Sequence, residues 1–464
     1  MIELSQYTGQ TVAVMGFGQS GQATAQVLRS IEATVWIWDD DPVKRAEAMA
    51  DGFRILDLTD VHWPDIACLV WSPGIPHTFP APHPVAQRAR AAGVVPVCDV
   101  ELLMQSGLVA RCVGITGTNG KSTTTSLITH ILTSAGRSVE TGGNLGPPVL
   151  ALPQLGDEGI YVIELSSYQL ELIPSLTLDI AVLLNIASDH IIRHGGISGY
   201  ITAKSSIFAG LKRGGTAVIS VDDVNSAALH ESLPGRGLRV VPISVEKPKG
   251  VHVRDGFLWD HTNGGTTAVA NLATAMALPG QHNQQNAAAA FATARVLGIK
   301  PSVIAAALQT FPGLAHRQEL VAVIDGVRYV NDSKATNADA AEKAMTCYDT
   351  LYWIAGGQAK EGGITALAPF FSRVRHAFLI GEASPAFAST LEGHLPYTFC
   401  ETLTTAVVYA NRMATLERIP GAVVLLSPAC ASWDQFDDFE HRGSVFRRLV
   451  AALPGRRGGG HFIH

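Results

Sequence analysis

The chain has 464 residues, 47% of them hydrophobic and 16% charged, with a formal net charge of −6. That length accommodates about three domains of ~150 residues and a substantial core, and the composition excludes a disordered chain. The acidic balance excludes a broad basic surface for nucleic acid, so an anionic substrate has to be met by local cations.

Cys68, Cys98, Cys112, Cys347, Cys400 and Cys430 show neither C-x-x-C pairs nor histidine spacing of the zinc kind, and they read as reduced thiols. The opening MIELSQYTGQ lacks the basic-then-apolar order of a secretory leader. No apolar run approaches the ~20 residues that span a bilayer, so a cytoplasmic protein without membrane insertion is expected.

In chain order, TVAVMGFG (11–18), TVWIWDDD (34–41), ACLVWSPG (67–74) and VVPVCDV (94–100) alternate with helical patterns. This predicts a doubly wound α/β block. Its first turn carries Gly16, Gly18 and Gly21 in G-x-G-x-x-G spacing, with Asp39 about 20 residues on at the end of the second strand. Read alone, the turn fits a nicotinamide or flavin dinucleotide. It fits any nucleotide diphosphate equally well, because all it guarantees is a helix N-terminus for phosphates and a carboxylate for a ribose.

The second block begins near Asp99 to Ala110 and carries GITGTNGKSTTTSLITHIL, from Gly114 to Leu132. A glycine-rich turn, Lys121 and the hydroxyls of Ser122 and Thr123 stand between an apolar strand and a helix. That order is a triphosphate cradle: backbone N–H groups close around the phosphates, lysine adds charge and a hydroxyl can ligate Mg²⁺. Ile115 occupies the place where the strict phosphate-loop pattern has glycine, so the loop is a variant. Two later strands, YVIEL (161–165) and IAVLLNI (180–186), end at Glu164 and before Asp189 and His190. Ligands gather at the carboxyl ends of parallel strands, so Lys121, Glu164 and His190 are expected to converge as cation and metal ligands.

A third block restarts after FPGLAHRQEL (311–320) with VRYVNDSK, LYWIAGGQ, AFLIGE and AVVLLSPA, and ends by about Leu453. The closing PGRRGGGHFIH reads as a mobile tail over 454–464.

Several motifs, in order along nearly the whole chain, resemble the Mur ligase family: GITGTNGKST, GGNLGPPVL (142–150), ELSSYQLE (164–171), NIASDH (185–190), GQHNQQN (280–286), GLAHRQE (313–319), NDSKATN (331–337), GGQAK (356–360) and SPACASWDQFDDFEHRG (427–443). NDSKATN and SPACASWDQF point to its D-glutamate-adding branch. The resemblance implies a Rossmann-like UDP-sugar domain over 1–99, a central P-loop-type domain for ATP and Mg²⁺ over 100–313, and a Rossmann-like amino-acid domain over 314–464. It implies an ATP-dependent amide ligase that adds D-glutamate to UDP-N-acetylmuramoyl-L-alanine through an acyl phosphate, in cytoplasmic peptidoglycan precursor synthesis. A monomer is expected.

The same resemblance assigns site residues. Gly16, Gly18 and Gly21 would hold the UDP diphosphate, with Asp39 and Ser72 near the uridine and Asn144 on the muramoyl-alanine arm. Gly117, Thr118, Asn119, Gly120, Lys121, Ser122 and Thr123 would cradle ATP, Asn283 and Asn286 would lie near adenine, and Arg317 and Asp332 would reach the nucleotide. Lys334, Thr336, Lys360, Ser432 and Phe439 would surround the incoming amino acid. Ser122, Glu164, His190 and Lys204, the last as a carbamate formed with CO₂, would hold two Mg²⁺ ions. Lys121, His190 and Lys204 form the implied catalytic set. Ile192 departs from the family, which often has an acidic residue there.

Overall fold

The computed structural model describes residues 2–187, 191–235, 237–262, 267–359 and 362–458. The chain divides into one unit of residues 1–273 with 281–309, and a second of 274–280 with 310–464.

In the first unit, strands β1 (Thr11–Met15), β2 (Thr34–Trp38), β3 (Arg54–Ile55), β4 (Ile66–Trp71) and β5 (Pro96–Val97) pair in parallel in the order β3-β2-β1-β4-β5. The strand order reverses at β1, which makes the crevice beyond the carboxyl ends of β1 and β4 the place for a ligand. Helix Gln19–Ser30 follows β1 directly, and its N-cap, Gly18, offers no side chain to the first turn.

The same unit contains β6 (Arg111–Thr116), β7 (Val139–Gly143), β8 (Ile160–Glu164), β9 (Leu178–Leu183), β10 (Leu211–Ser220), β11 (Arg239–Ser244), β12 (Val251–Arg254), β13 (Phe257–Asp260) and β14 (Thr267–Asn271), in the order β14-β13-β12-β11-β10-β9-β6-β8-β7. Strands β6 to β12 pair in parallel, while β13 and β14 add an antiparallel edge. β8 is buried throughout and β9 is buried except at Asp179, as parallel strands covered by helices must be. One continuous apolar core runs from Val14 and Leu69 of the first sheet to Tyr161 and Leu183 of the second.

The second unit holds β15 (Glu319–Ile324), β16 (Val327–Asn331), β17 (Leu351–Gly356), β18 (Val374–Ile380), β19 (Tyr397–Glu401) and β20 (Val423–Leu426), ordered β15-β16-β20-β17-β18-β19. Only β15 runs antiparallel. Alternate residues of β17 serve opposite faces: Leu351, Trp353 and Ala355 enter one core, Tyr352 and Ile354 the other. LYWIAG is therefore apolar without alternation.

The three α/β blocks expected from sequence are present. The closing segment differs from expectation at its start. Asp325 N–H donates to Arg456 O, Arg456 N–H to the Asp325 carboxylate, and Gly458 N–H to Val323 O. These bonds use the open edge of β15, whose backbone groups would otherwise face solvent. Residues 459–464 lie outside the described ones.

Candidate active site

The phosphate loop joins β6 to helix Lys121–Ser134. Gly117 and Gly120 have φ of +154° and +84°, values a side chain would strain, and a Cβ on Gly120 would collide with the Asn286 amide. Lys121 curls over the loop and donates to the carbonyls of Gly117 and Thr118, both at 2.9 Å. The helix opens without a side-chain cap, leaving its first N–H groups available to an anion. Ser122 is half-buried beside Lys121 and Thr123 is buried.

Neighbouring elements brace this loop. Asn185 accepts from Asn119 N–H at 2.8 Å and returns a bond to Asn119 O at 3.2 Å. Thr118 Oγ1 lies 3.0 Å from the Tyr200 hydroxyl. On helix Gln281–Val296, Asn286 accepts from Thr124 Oγ1 at 3.2 Å and donates to Asn283 Oδ1 at 3.1 Å. Asn283 and Asn286 thus back the loop's helix with their amides.

Glu164 ends β8 in register with Ile115 of β6, one strand from the loop. It is 1% exposed. Asn144 Nδ2 donates to its Oε1 at 2.7 Å, while Oε2 is buried with no hydrogen-bond partner among the described residues. A buried carboxylate oxygen in that condition is costly unless something cationic meets it, so Glu164 fits a divalent cation of the hard, oxygen-seeking kind. Lys204, also 1% exposed, donates to Gly117 O at 2.9 Å and lies 3.4 Å from Thr116 Oγ1. Its amine therefore abuts the loop. Among the described residues no three His, Cys, Asp or Glu side chains cluster as a metal site, and His190 lies outside those residues.

At the first sheet, the glycine turn and the Ser72 turn touch: a Cβ on Gly16 would strike Ser72, and one on Gly21 would strike the Gly16 carbonyl. Asp39 accepts from Phe17 N–H at 2.7 Å and Asp41 N–H at 2.9 Å, so its carboxylate fixes the shape of the turn. A cavity of about 400 Å³ lies between Gln19, Gln22 and Gln26 of the first helix and Gly146, Pro147 and Pro148, two residues beyond Asn144.

In the second unit, Asp332 follows β16 and is buried, accepting from Ser427 Oγ at 2.8 Å and Gln318 N–H at 3.1 Å. Burial pushes its carboxyl up to about 7 against the pull of those bonds and of Arg317. Arg317 is exposed, between His316 and Gln318, both at positive φ. The Lys334 ammonium lies 5.3 Å from the centre of the Phe439 ring. Thr336 N–H bonds to Lys334 O, and Ser432 is buried in the neighbouring SPACAS loop. Lys360 lies outside the described residues.

A model of the Mur ligase middle domain matches residues 115–294, and a model of the S-adenosyl-L-homocysteine hydrolase NAD-binding domain matches residues 5–74. UDP-N-acetylmuramoylalanine–D-glutamate ligase of Rhodospirillum rubrum is 56% identical over 98% of this chain and 97% of its own. The ligase of the same name from Paramagnetospirillum magneticum is 54% identical over 98% and 99%. The chain belongs to the Mur ligase family. Among solved structures, the UDP-N-acetylmuramate-alanine ligase of Thermotoga maritima matches with a TM-score of 0.57 at 16% identity, over 96% of this chain and 99% of that one. That likeness extends to the fold alone.

As a Mur ligase the chain is an ATP-dependent ligase. In the first unit the structure brings together Lys121, Ser122, Thr123, Lys204 and the Glu164–Asn144 pair around one loop, and Gly16, Gly18, Gly21, Asp39 and Ser72 around one turn. In the second, Arg317 adjoins Asp332 through Gln318, and Lys334 meets Phe439. Sequence reasoning missed Tyr200, Asn185 and Arg442. Arg442 is 1% exposed and donates to Ser333 Oγ, Ser333 O, Cys430 O and Ala431 O at 2.9–3.2 Å, tying the NDSKATN and SPACAS loops together. Burial lowers its pKa to about 10, so it remains charged near neutrality. The signal was available in the helix: Arg442 shares the inward stripe of Phe446 and Val450, where a charge must find buried partners.

Proposed function

We propose that this Mur ligase joins D-glutamate to UDP-N-acetylmuramoyl-L-alanine in cytoplasmic peptidoglycan precursor synthesis. The observation that carries the reading is the match over 98% of the chain to relatives bearing that activity in their names. We divide the labour as a UDP-sugar domain over 1–99, an ATP domain over 100–313 and an amino-acid domain over 314–464. We read the chain as acting as a monomer. No helix among the described residues is long and apolar enough to cross a membrane.

A carboxylate is a poor electrophile, and the reaction has to improve it. In the proposed sequence, the terminal alanine carboxylate oxygen attacks the γ-phosphorus of ATP and ADP leaves. The deprotonated D-glutamate amine then attacks the acyl carbon, and the C–O bond to phosphate breaks. The protein contributes position and charge. Lys121 and the N–H groups of Gly117 to Thr123 neutralise the outer phosphates. Gly16, Gly18 and Gly21 leave the first helix open to the UDP diphosphate, with Asp39, which also shapes the turn, and Ser72 beside the uridine. Asn144, while orienting Glu164, faces the muramoyl-alanine arm, next to the cavity at Pro147.

Magnesium would be held by Ser122, Glu164, His190 and a carbamylated Lys204, and would supply charge neutralisation at the phosphates. The free Oε2 of Glu164 supports that role. Asn283 and Asn286 serve the adenine, and we assign Arg317 and Asp332 to the nucleotide as well. Lys334, Thr336, Lys360, Ser432 and Phe439 receive D-glutamate, the lysines taking its side-chain carboxylate.

Amino-acid choice tests the proposal. A cation left without its carboxylate is penalised strongly, so kcat/KM for D-glutamate should exceed that for D-alanine and D-glutamine by at least ~10²-fold. L-Glutamate should fail similarly, because inversion at Cα takes either the amine or the carboxylate away from its partner. Equal phosphate release with L-alanine, L-glutamate or diaminopimelate would overturn the substrate assignment.

A further inference from the structure

The substrate just proposed has its nucleotide end at the first sheet and its reacting carboxylate at the second, so the separation of the two sites has to be fixed. A polar cluster spans that gap. Segment Ile191–His194 sends Arg193 to the turn that leaves β4, where Nη1 donates to Gly74 O at 2.7 Å and Nη2 to Pro73 O at 3.2 Å. The guanidinium lies 4.4 Å from the centre of the Tyr168 ring. This is the turn whose Ser72 packs against Gly16, at the crevice where the strand order reverses.

Glu171 adds a second tie. It accepts from His77, in the same turn, at 3.2 Å and from His194 at 2.8 Å. Both histidines are nearly inaccessible. Arg90 stands 2.8 Å from His77 Nδ1. Because a guanidinium only donates, Nδ1 must accept, which places the His77 proton on Nε2, toward Glu171. His194 Nε2 lies 2.9 Å from Ser167 Oγ, and its ring packs against Tyr168 and Tyr200, each at 5.4 Å. The Tyr200 hydroxyl is the one that meets Thr118 of the phosphate loop. An unbroken series of contacts therefore runs from the Ser72–His77 turn to the ATP cradle. Burial would raise the Glu171 carboxyl, but the two histidine bonds outweigh it and hold it near 2, so the acceptor stays ionised.

We infer that Arg193 and Glu171 are positioning residues for the UDP-bearing substrate, holding the Ser72–His77 turn at a set distance from the phosphate loop. The inference rests on the proposed function. Cohesion alone does not explain the arrangement, since the continuous core from Leu69 to Leu183 already unites the two sheets. Arg193 instead directs its donors to the two carbonyls that set the path of the turn.

The experiment is steady-state kinetics of the full-length chain with Arg193→Ala, Arg193→Lys and Glu171→Gln, together with thermal unfolding and calorimetric binding of UDP-N-acetylmuramoyl-L-alanine. In Arg193→Ala, KM and Kd for that substrate should rise about tenfold, the loss of charge-assisted bonds to two carbonyls, while kcat and KM for ATP stay within about twofold. Arg193→Lys should recover most of the loss, because an ammonium can still donate to both carbonyls. Glu171→Gln should shift the same constants in the same direction, its amide facing a histidine N–H with the wrong polarity. Unchanged KM and Kd in both Ala and Gln variants would overturn the inference, as would an equal rise in KM for ATP with a lowered unfolding midpoint. Wild-type ligation is the separate control on the functional reading.

Discussion

Lys121→Ala is expected to lower turnover by at least ~10²-fold, because a positioned charge at a developing phosphoryl transition state is worth about 3–4 kcal/mol. The side chain suits a clean substitution. It is only half-buried, at the first position of its helix, and it donates to the loop carbonyls of Gly117 and Thr118. The turn itself is held independently by Asn185, Tyr200 and the glycine conformations at 117 and 120. Circular dichroism and the unfolding midpoint should therefore match the wild type while kcat collapses. Near-normal turnover would remove the cradle from the mechanism.

Lys204→Ala should be more damaging, approaching complete inactivity. If Lys204 acts as a carbamate, its ammonium has lost one proton to free the amine and a second on bonding CO₂ through Nζ, converting a cation beside the phosphate loop into a carboxylate. Alanine removes both oxygens as well as the chain that carries them. Short carboxylic acids such as acetate should partly restore activity by replacing those oxygens. Because Lys204 is buried beneath the loop, its removal also opens a void, and the rescue is what separates lost chemistry from lost packing. Restored activity requires a folded site. Normal turnover of the variant without added acid would contradict the carbamate role.

The elements that sequence made legible are those with an uninterrupted physical signature. β1, β4, β6, β9 and β17 are apolar runs ended by glycine, proline or asparagine turns, and the strands lie where those runs predict. The glycine positions at 16, 21, 117 and 120 were readable because close backbone approach or positive φ leaves few other choices. Edge elements were not. β3 has two residues, β19 is half-exposed, β13 is only four residues long, and β14 beside it buries a single side chain.

Within the site, Lys121 and Glu164 could be read from position alone, at the ends of adjacent strands. The bonds of Arg442 and Arg193 could not, because their partners are backbone carbonyls, which every residue possesses. Asp39 shows a subtler limit. An acid at that spacing suggests a ribose contact, and its carboxylate also holds the Phe17 and Asp41 amides, a second use that spacing does not announce.

A ligase of this kind has to couple ATP cleavage to amide formation between two particular substrates. The most direct measurement follows phosphate release and the mass of the nucleotide product together, with ATP, UDP-N-acetylmuramoyl-L-alanine and D-glutamate supplied and each then omitted in turn. Equal amounts of phosphate and of a product heavier than the UDP substrate by D-glutamate less water are expected, with release stopping when any component is left out. Phosphate release that continues undiminished without D-glutamate or without the UDP substrate, with no heavier product formed, would contradict that coupling.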